Sequence, residues 1–183
     1  MVTLSLCFSL LLSASLCLSL CLSLFQSGAR FFLSIDVDVF LWNPNTLSVL
    51  VGLSERGHTI IAPMVHVITN AFQSNFWVDV TPSGYYKRGS TYFPISMYSS
   101  VGVHNATLVH SCYMVDLKDK RTRHLSYSPL NGHTTQSPDD VIHFGIRARH
   151  LGTYKKKTEK KTKKKSYFNM IKLFMKGHTY TEK

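Results

Sequence analysis

Carboxylates are the side chains of this sequence best suited to chemistry, and two of them stand one residue apart. Asp36-Val37-Asp38 directly follows the apolar run Phe31-Phe32-Leu33-Ser34-Ile35. In a strand the side chains alternate faces, so Asp36 and Asp38 are expected to share one face at its carboxyl end, where open α/β sheets bind ligands. Two carboxylates there can hold a hard divalent ion such as magnesium or manganese, with phosphate oxygens and water completing the shell. On a solvated turn the same Asp-x-Asp spacing is only a pair of surface acids. A second pair, Asp139-Asp140, precedes Val141, Ile142, Phe144 and Ile146 at apolar spacing. It reads as a helix start, where the macrodipole favours anions.

The elements that position these groups follow from hydrophobic pattern and turn chemistry. Phe31 to Ile35 is nearly continuous in apolar residues, as in a strand buried on both faces of a mostly parallel sheet. Asn43-Pro44-Asn45-Thr46 predicts a turn and helix start, with Leu47, Leu50 and Val51 at helical spacing, and Gly57-His58 closes the helix before a second strand, Thr59 to Ala62. Strand, helix, strand is an α/β rhythm. Residues 75 to 94, rich in aromatics and glycine, predict irregular structure or short strands. Leu108 to Val115 predicts a third strand, leading into a charged helix or loop, and Gly132 to Pro138 a loop.

Composition sets the outer limits. A chain of 183 residues, 44% hydrophobic, accommodates one modest domain. Its formal charge of +11 is uneven: residues 1–150 carry ten Lys or Arg against eight acids, whereas Leu151 to Lys183 carries eleven Lys against two Glu. The Lys155 to Lys165 run repels itself and predicts a disordered basic tail, with nucleic acid not expected as a specific partner. Ser166 to Met175 adds an apolar patch. Met1 to Leu24 has ten Leu, six Ser and three Cys and no charge, so residues 1–29 form a low-complexity segment that could serve as a signal peptide or membrane anchor. Only Cys112 lies in the body, which excludes a disulfide framework and a cysteine zinc site.

Several longer strings, in order, resemble the amino-terminal transferase domain of the procollagen galactosyltransferases, glycosyltransferase family 25, which includes the cerebral endothelial cell adhesion molecule. Ile35 to Asp38 followed by Asn43 to Leu50 is similar to that family's Asp-x-Asp strand and the helix after it. Ile60 to Met64, Ser74 to Trp77, Gly84 to Arg88 and Tyr92 to Ile95 resemble its most recognisable block. Val109 to Ser111, Val115 to Leu117 and Asp139 to Phe144 follow in the family's order. The resemblance covers about residues 30–149. Departures fall at Val65-His66-Val67, at a two-residue insertion before Ser74, and at Pro138, where the family carries an aromatic.

The resemblance implies a GT-A-like nucleotide-sugar transferase domain over residues 30–150, truncated relative to the family. It implies transfer of galactose from UDP-galactose to hydroxylysine of collagen, with manganese, in the endoplasmic reticulum lumen or secretory pathway. The family's Asp-x-Asp strand follows a βαβ half that holds uridine. The Leu/Ser segment stands in that place, so weak nucleotide binding and an open edge beside Phe31 to Ile35 are expected. Asp36 and Asp38 become the metal ligands. The implied inversion needs a base, for which Asp139 or Asp140 is the candidate, the other serving as helix cap. Trp77, Tyr85 and Tyr86 could stack on sugar or uracil, or simply pack, while Lys87 and Arg88 could pair with phosphate or face solvent. His110 is a candidate metal ligand or sugar contact, or a hydrogen-bonded core histidine. Asn105-Ala106-Thr107 is a glycosylation sequon. Tyr180-Thr181-Glu182-Lys183 is not a retention signal. The alternative is a non-catalytic lumenal or surface interaction protein on the same scaffold.

Overall fold

A computed structural model describes residues 4–9, 28–66, 73–83, 85–129, 140–153 and 168–171. At its centre lie β2 (Phe31–Asp36), β3 (Ile60–Pro63) and β9 (Cys112–Asp116). With β1 (Leu4–Ser9), β7 (Val103–Ala106) and β10 (Phe168–Ile171) they form a sheet of order β1-β2-β9-β3-β10-β7. Two small antiparallel pairs stand apart: β4 (Phe76–Trp77) with β8 (Leu108–Val109), and β5 (Asp79–Val80) with β6 (Tyr86–Lys87). The helices are α1 (Thr46–Glu55), a short α2 (Tyr92–Ser96) and α3 (Asp140–Thr153), with a 3-10 turn at Lys120–His124.

The strand, helix, strand unit is present as β2-α1-β3, but the expectation of a mostly parallel sheet gives way to a mixed one. β9 inserts between β2 and β3 and runs antiparallel to both. The cause lies at Ser111: the Leu108 to Val115 run is not one strand but two, because the chain turns sharply there and its second half returns along β2. Among the described residues, parallel pairing is confined to β1 with β2 and β10 with β3. β1 lies in register from Leu4 opposite Phe31 to Ser9 opposite Asp36, so the edge of β2 expected to be open is covered. β10 comes from the apolar patch beyond the lysine run and pairs with β3 and β7. The loop 132–138, Asp139 and the lysine run 155–165 lie outside the described residues.

Alternation along the central strands divides the core between two faces. Phe31, Leu33, Ile35, Ile61, Cys112 and Met114 form one cluster with Leu50 and Leu53 of α1. Phe32, Ile60, Ala62, Tyr113 and Val115 face the other way, against Phe76, Tyr92, Ile95, Phe144 and Ala148. A strand covered on both sides must be apolar at nearly every position, which is why β2 reads as a continuous run. α1 stops in a Schellman arrangement: Gly57, at φ +94°, donates to Ser54 O at 2.8 Å and His58 donates to Leu53 O at 3.4 Å. Close packing of α3 depends on Gly145, where an added Cβ would run into Leu108 Cδ1 and stand 3.3 Å from the Thr107 carbonyl.

Polar anchoring is concentrated at the amino end of β3. Asp119 accepts from Arg121 N at 3.0 Å and Arg121 Nε at 2.9 Å, and the Thr59 hydroxyl donates to Asp119 at 2.8 Å. Ser54 Oγ donates to Asp116 at 2.7 Å, joining α1 to β9. The Arg121 hydrogen bonds, opposed by partial burial, hold the Asp119 carboxyl well below the usual carboxylate range. Because the folded-state pKa is the lower one, this contribution is complete above about pH 4 and fades as the pH falls below it. Melting temperatures measured from about pH 6 down to about pH 2 should therefore drop once the pH passes below about 4. Asp119→Asn should melt lower at pH 6 and lose less on acidification. A mutant slope equal to that of the wild type would contradict the assignment.

Candidate nucleotide-sugar site

The site is built on the carboxyl end of β2. Regular strand geometry ends at Asp36, and Val39 N donates to Asp36 O at 3.0 Å, closing a tight turn over Val37 and Asp38. Asp36 and Asp38 therefore adjoin through a turn and not by sharing a strand face, which corrects the alternation argument. Asp36 is half-buried, Asp38 is exposed, and Val37 between them is exposed. Neither carboxylate takes a hydrogen bond or ion pair from the described residues. Two hard oxygen donors left uncommitted at a strand end fit a divalent ion shared with phosphate oxygens.

What fixes Asp36 is the backbone across from it. Asp36 N donates to Ser111 O at 2.7 Å, and Cys112 N donates to His110 O at 2.7 Å, so Ser111 is the centre of a γ-turn with φ +62°. A non-glycine residue there is strained by about 1–3 kcal/mol and persists only where its surroundings over-determine it. Asn75, buried, does so. Its Nδ2 donates to Pro63 O at 3.0 Å and His110 O at 3.1 Å, while its Oδ1 accepts from Val65 N at 2.9 Å. Its own backbone carbonyl accepts from His110 N at 2.9 Å. One carboxamide thus ties the exits of β3 and β8 to the turn that holds Asp36. Below that turn lies Cys112, whose thiol is pushed up to about 12 by burial and, secondarily, by the nearby Asp36 charge. It is an inert core group.

The other sequence-predicted residues separate into groups. His110 Nδ1 lies 2.8 Å from Ser111 Oγ, and no group of three His, Cys, Asp or Glu that could hold a metal occurs among the described residues. His110 is thus a hydrogen-bonded, half-buried histidine beside the site. Trp77 stacks on Tyr86 with centroids 4.8 Å apart and on Tyr92 at 6.1 Å. The Arg88 guanidinium covers Trp77 at 4.9 Å and Tyr92 at 5.1 Å. These rings are engaged with one another, whereas Tyr85 is 66% exposed and Lys87 faces solvent.

Asp140 is exposed at the first residue of α3, and no described contact joins it to Asp36 or Asp38. Its partner Asp139 is outside the described residues. Asn105 is exposed on β7, while Thr107 of the sequon is buried and its hydroxyl donates to the Val78 carbonyl. Asn75 was missed as a functional residue. Its role is entirely tertiary, and the only local sign is a polar residue set against the buried Phe76.

Comparison with known proteins follows the same residues. The model for "Glycosyltransferase family 25, N-terminal domain" matches residues 24–164. Human "Procollagen galactosyltransferase 2" is 36% identical over 127 residues, covering 69% of this chain and 20% of that protein. "Procollagen galactosyltransferase 1" of Danio rerio is 36% identical over 121 residues, 66% of this chain and 19% of its own. Human "Inactive glycosyltransferase 25 family member 3" is 33% identical over 125 residues, 68% of this chain and 20% of its own. The matched stretch spans about a fifth of these relatives. A crystal structure of a STIV protein aligns over 73% of this chain and 58% of its own, at 10% identity and a TM-score of 0.45.

Removing the Asn75 carboxamide leaves the Pro63 and His110 carbonyls and the Val65 N–H short of partners. Asn75→Ala should cost on the order of 3 kcal/mol in urea unfolding. Ser111→Gly, which suits the positive φ, should cost less than about 1 kcal/mol. Equal losses for the two variants would show that the carboxamide does not secure the turn.

Proposed function

The chain belongs to glycosyltransferase family 25, and from that premise we propose that it is a GT-A-like transferase domain that binds UDP-galactose through Asp36 and Asp38. The observation that carries this reading is the pair of uncommitted carboxylates on a turn whose backbone is locked to Ser111. Manganese, held by these two residues, would neutralise the diphosphate as it leaves. Asp36 supplies a fixed oxygen donor because its main chain is pinned on both sides, to Ser111 O and by Val39 N. Asp38, on the turn, supplies one able to adjust. The proposed acceptor is hydroxylysine of collagen, as the resemblance to the procollagen galactosyltransferases implies, and the proposed site of action is the secretory pathway. Asp140, on the amino end of a helix anchored by Ile142, Phe144 and Gly145, is the proposed acceptor of the hydroxyl proton.

The near-equal identity to an inactive family member, 33% against 36%, favours a second reading as a non-catalytic interaction protein on this scaffold. Calorimetric titration of the full chain with UDP separates the two. The transferase reading expects tighter binding with manganese than without it, and loss of that gain in Asp38→Asn with an unchanged melting temperature. A gain that survives in the mutant removes Asp38 from the site, and absence of any manganese-dependent UDP binding supports the interaction protein.

In a transfer assay the Asp140→Asn variant should lose about two to four orders of magnitude in turnover while binding UDP normally. Wild-type turnover in that variant would place the base elsewhere.

A further inference from the structure

Phe40 and Trp42, each 77% exposed, are the most exposed large apolar side chains among the described residues. They are held in that position. Val39 and Leu41, alternating with them, pack against the core beneath α1. The far end of the loop is fixed by Asn43, whose Oδ1 accepts from Asn45 N at 2.9 Å and whose carbonyl accepts from Thr46 N at 3.0 Å and Thr46 Oγ1 at 2.8 Å. The near end is the Asp36 turn. Neither ring has a ring or cation partner among the described residues. Two aromatic rings are therefore displayed, at a cost in exposed apolar area, on an anchored loop that begins at the candidate metal ligands.

We infer that Phe40 and Trp42 form the platform on which an extended, proline-rich polypeptide acceptor lies while its hydroxyl-bearing side chain reaches the rim at Asp36 and Asp38. This assignment rests on the transferase reading given above. If the donor diphosphate occupies the carboxylates, the surface continuous with them is where an acceptor must lie. Polyproline-II chains, the conformation of collagen strands, lose little entropy on docking and are recognised by exposed aromatic surfaces. An anionic membrane is a poorer match, since the chain from Val37 to Ser54 contains one charged residue, Asp38, and no Lys or Arg to attract lipid phosphate.

The test is fluorescence anisotropy of a labelled single-chain peptide of repeating Gly-Pro-X triplets carrying one hydroxylysine. It is compared with a Gly-Ser peptide carrying the same residue, against the full 183-residue chain. Preferential binding of the proline-rich peptide is expected, weakened about tenfold by Trp42→Ala or Phe40→Ala, largely retained in Trp42→Phe, and unchanged in Val101→Ser, an exposed apolar position elsewhere. Failure to bind the proline-rich peptide, equal binding of both peptides, or unaltered affinity in both alanine variants overturns the inference. So does a Trp42→Ala variant that converts a dimer to a monomer without changing peptide affinity, since the rings would then belong to a self-interface. Manganese-dependent UDP binding, measured on the same preparations, should be the same in the Trp42 variants as in the wild type. Its absence from the wild type itself would sink the donor-site reading and leave the peptide result to stand or fall separately.

Discussion

The Asn75 carboxamide is the constraint on which the rest of the site depends. Buried between β3, β4 and the β8–β9 turn, it holds the Pro63 and His110 carbonyls with its two donors and satisfies the Val65 N–H with its oxygen. Because a buried amide with every valence used is rigid and costly to disturb, it can stabilise a γ-turn that Ser111 would not adopt alone. That turn breaks the apolar run from Leu108 to Val115 and sends β9 back between β2 and β3. The same turn delivers the Ser111 carbonyl to Asp36 N. Sheet topology and the position of the candidate ligand thus share one cause.

The two ends of the sheet are built differently. At the amino end of β3, Asp119, Arg121 and Thr59 satisfy one another, and Ser54 ties α1 to Asp116. At the carboxyl end of β2 the main chain is pinned while two carboxylates have no partner among the described residues and Ser111 carries a strained φ. Local strain and uncommitted charge persist only where other contacts compensate. At the unsaturated end the compensating contacts are those of the Asn75 carboxamide. In the transferase reading, that unsaturated end is the part reserved for donor and ion.

Much of the frame was legible in the sequence because its signals are local. The apolar run of β2, the Asn43-Pro44 turn into α1, the Gly57 stop and the start of α3 at Asp140 each follow from pattern or turn chemistry within a few residues. The family was legible for the same reason, in strings such as Asn43 to Leu50 and Ser74 to Trp77. Strand direction was not. Nothing local marks Ser111 as a turn, since its positive φ is imposed by Asn75, 36 positions earlier. The placement of Asp38 on a turn depends in the same way on where β2 loses its partner. Pairing of β1 with β2 and of β10 with β3 was equally hidden, because low-complexity and tail sequence carries no register signal of its own.

The most direct measurement of the central claim is paramagnetic broadening of backbone amide resonances when manganese is added to the full chain in the presence of UDP. If the turn locked by Asn75 and Ser111 presents Asp36 and Asp38 as ligands, the amides of Asp36 to Val39 and of Ser111 should broaden first, at the lowest manganese concentrations. Asn75→Ala should spread or abolish that pattern. Broadening centred elsewhere in the chain, or a pattern at Asp36 to Val39 that survives loss of the carboxamide, would contradict the account.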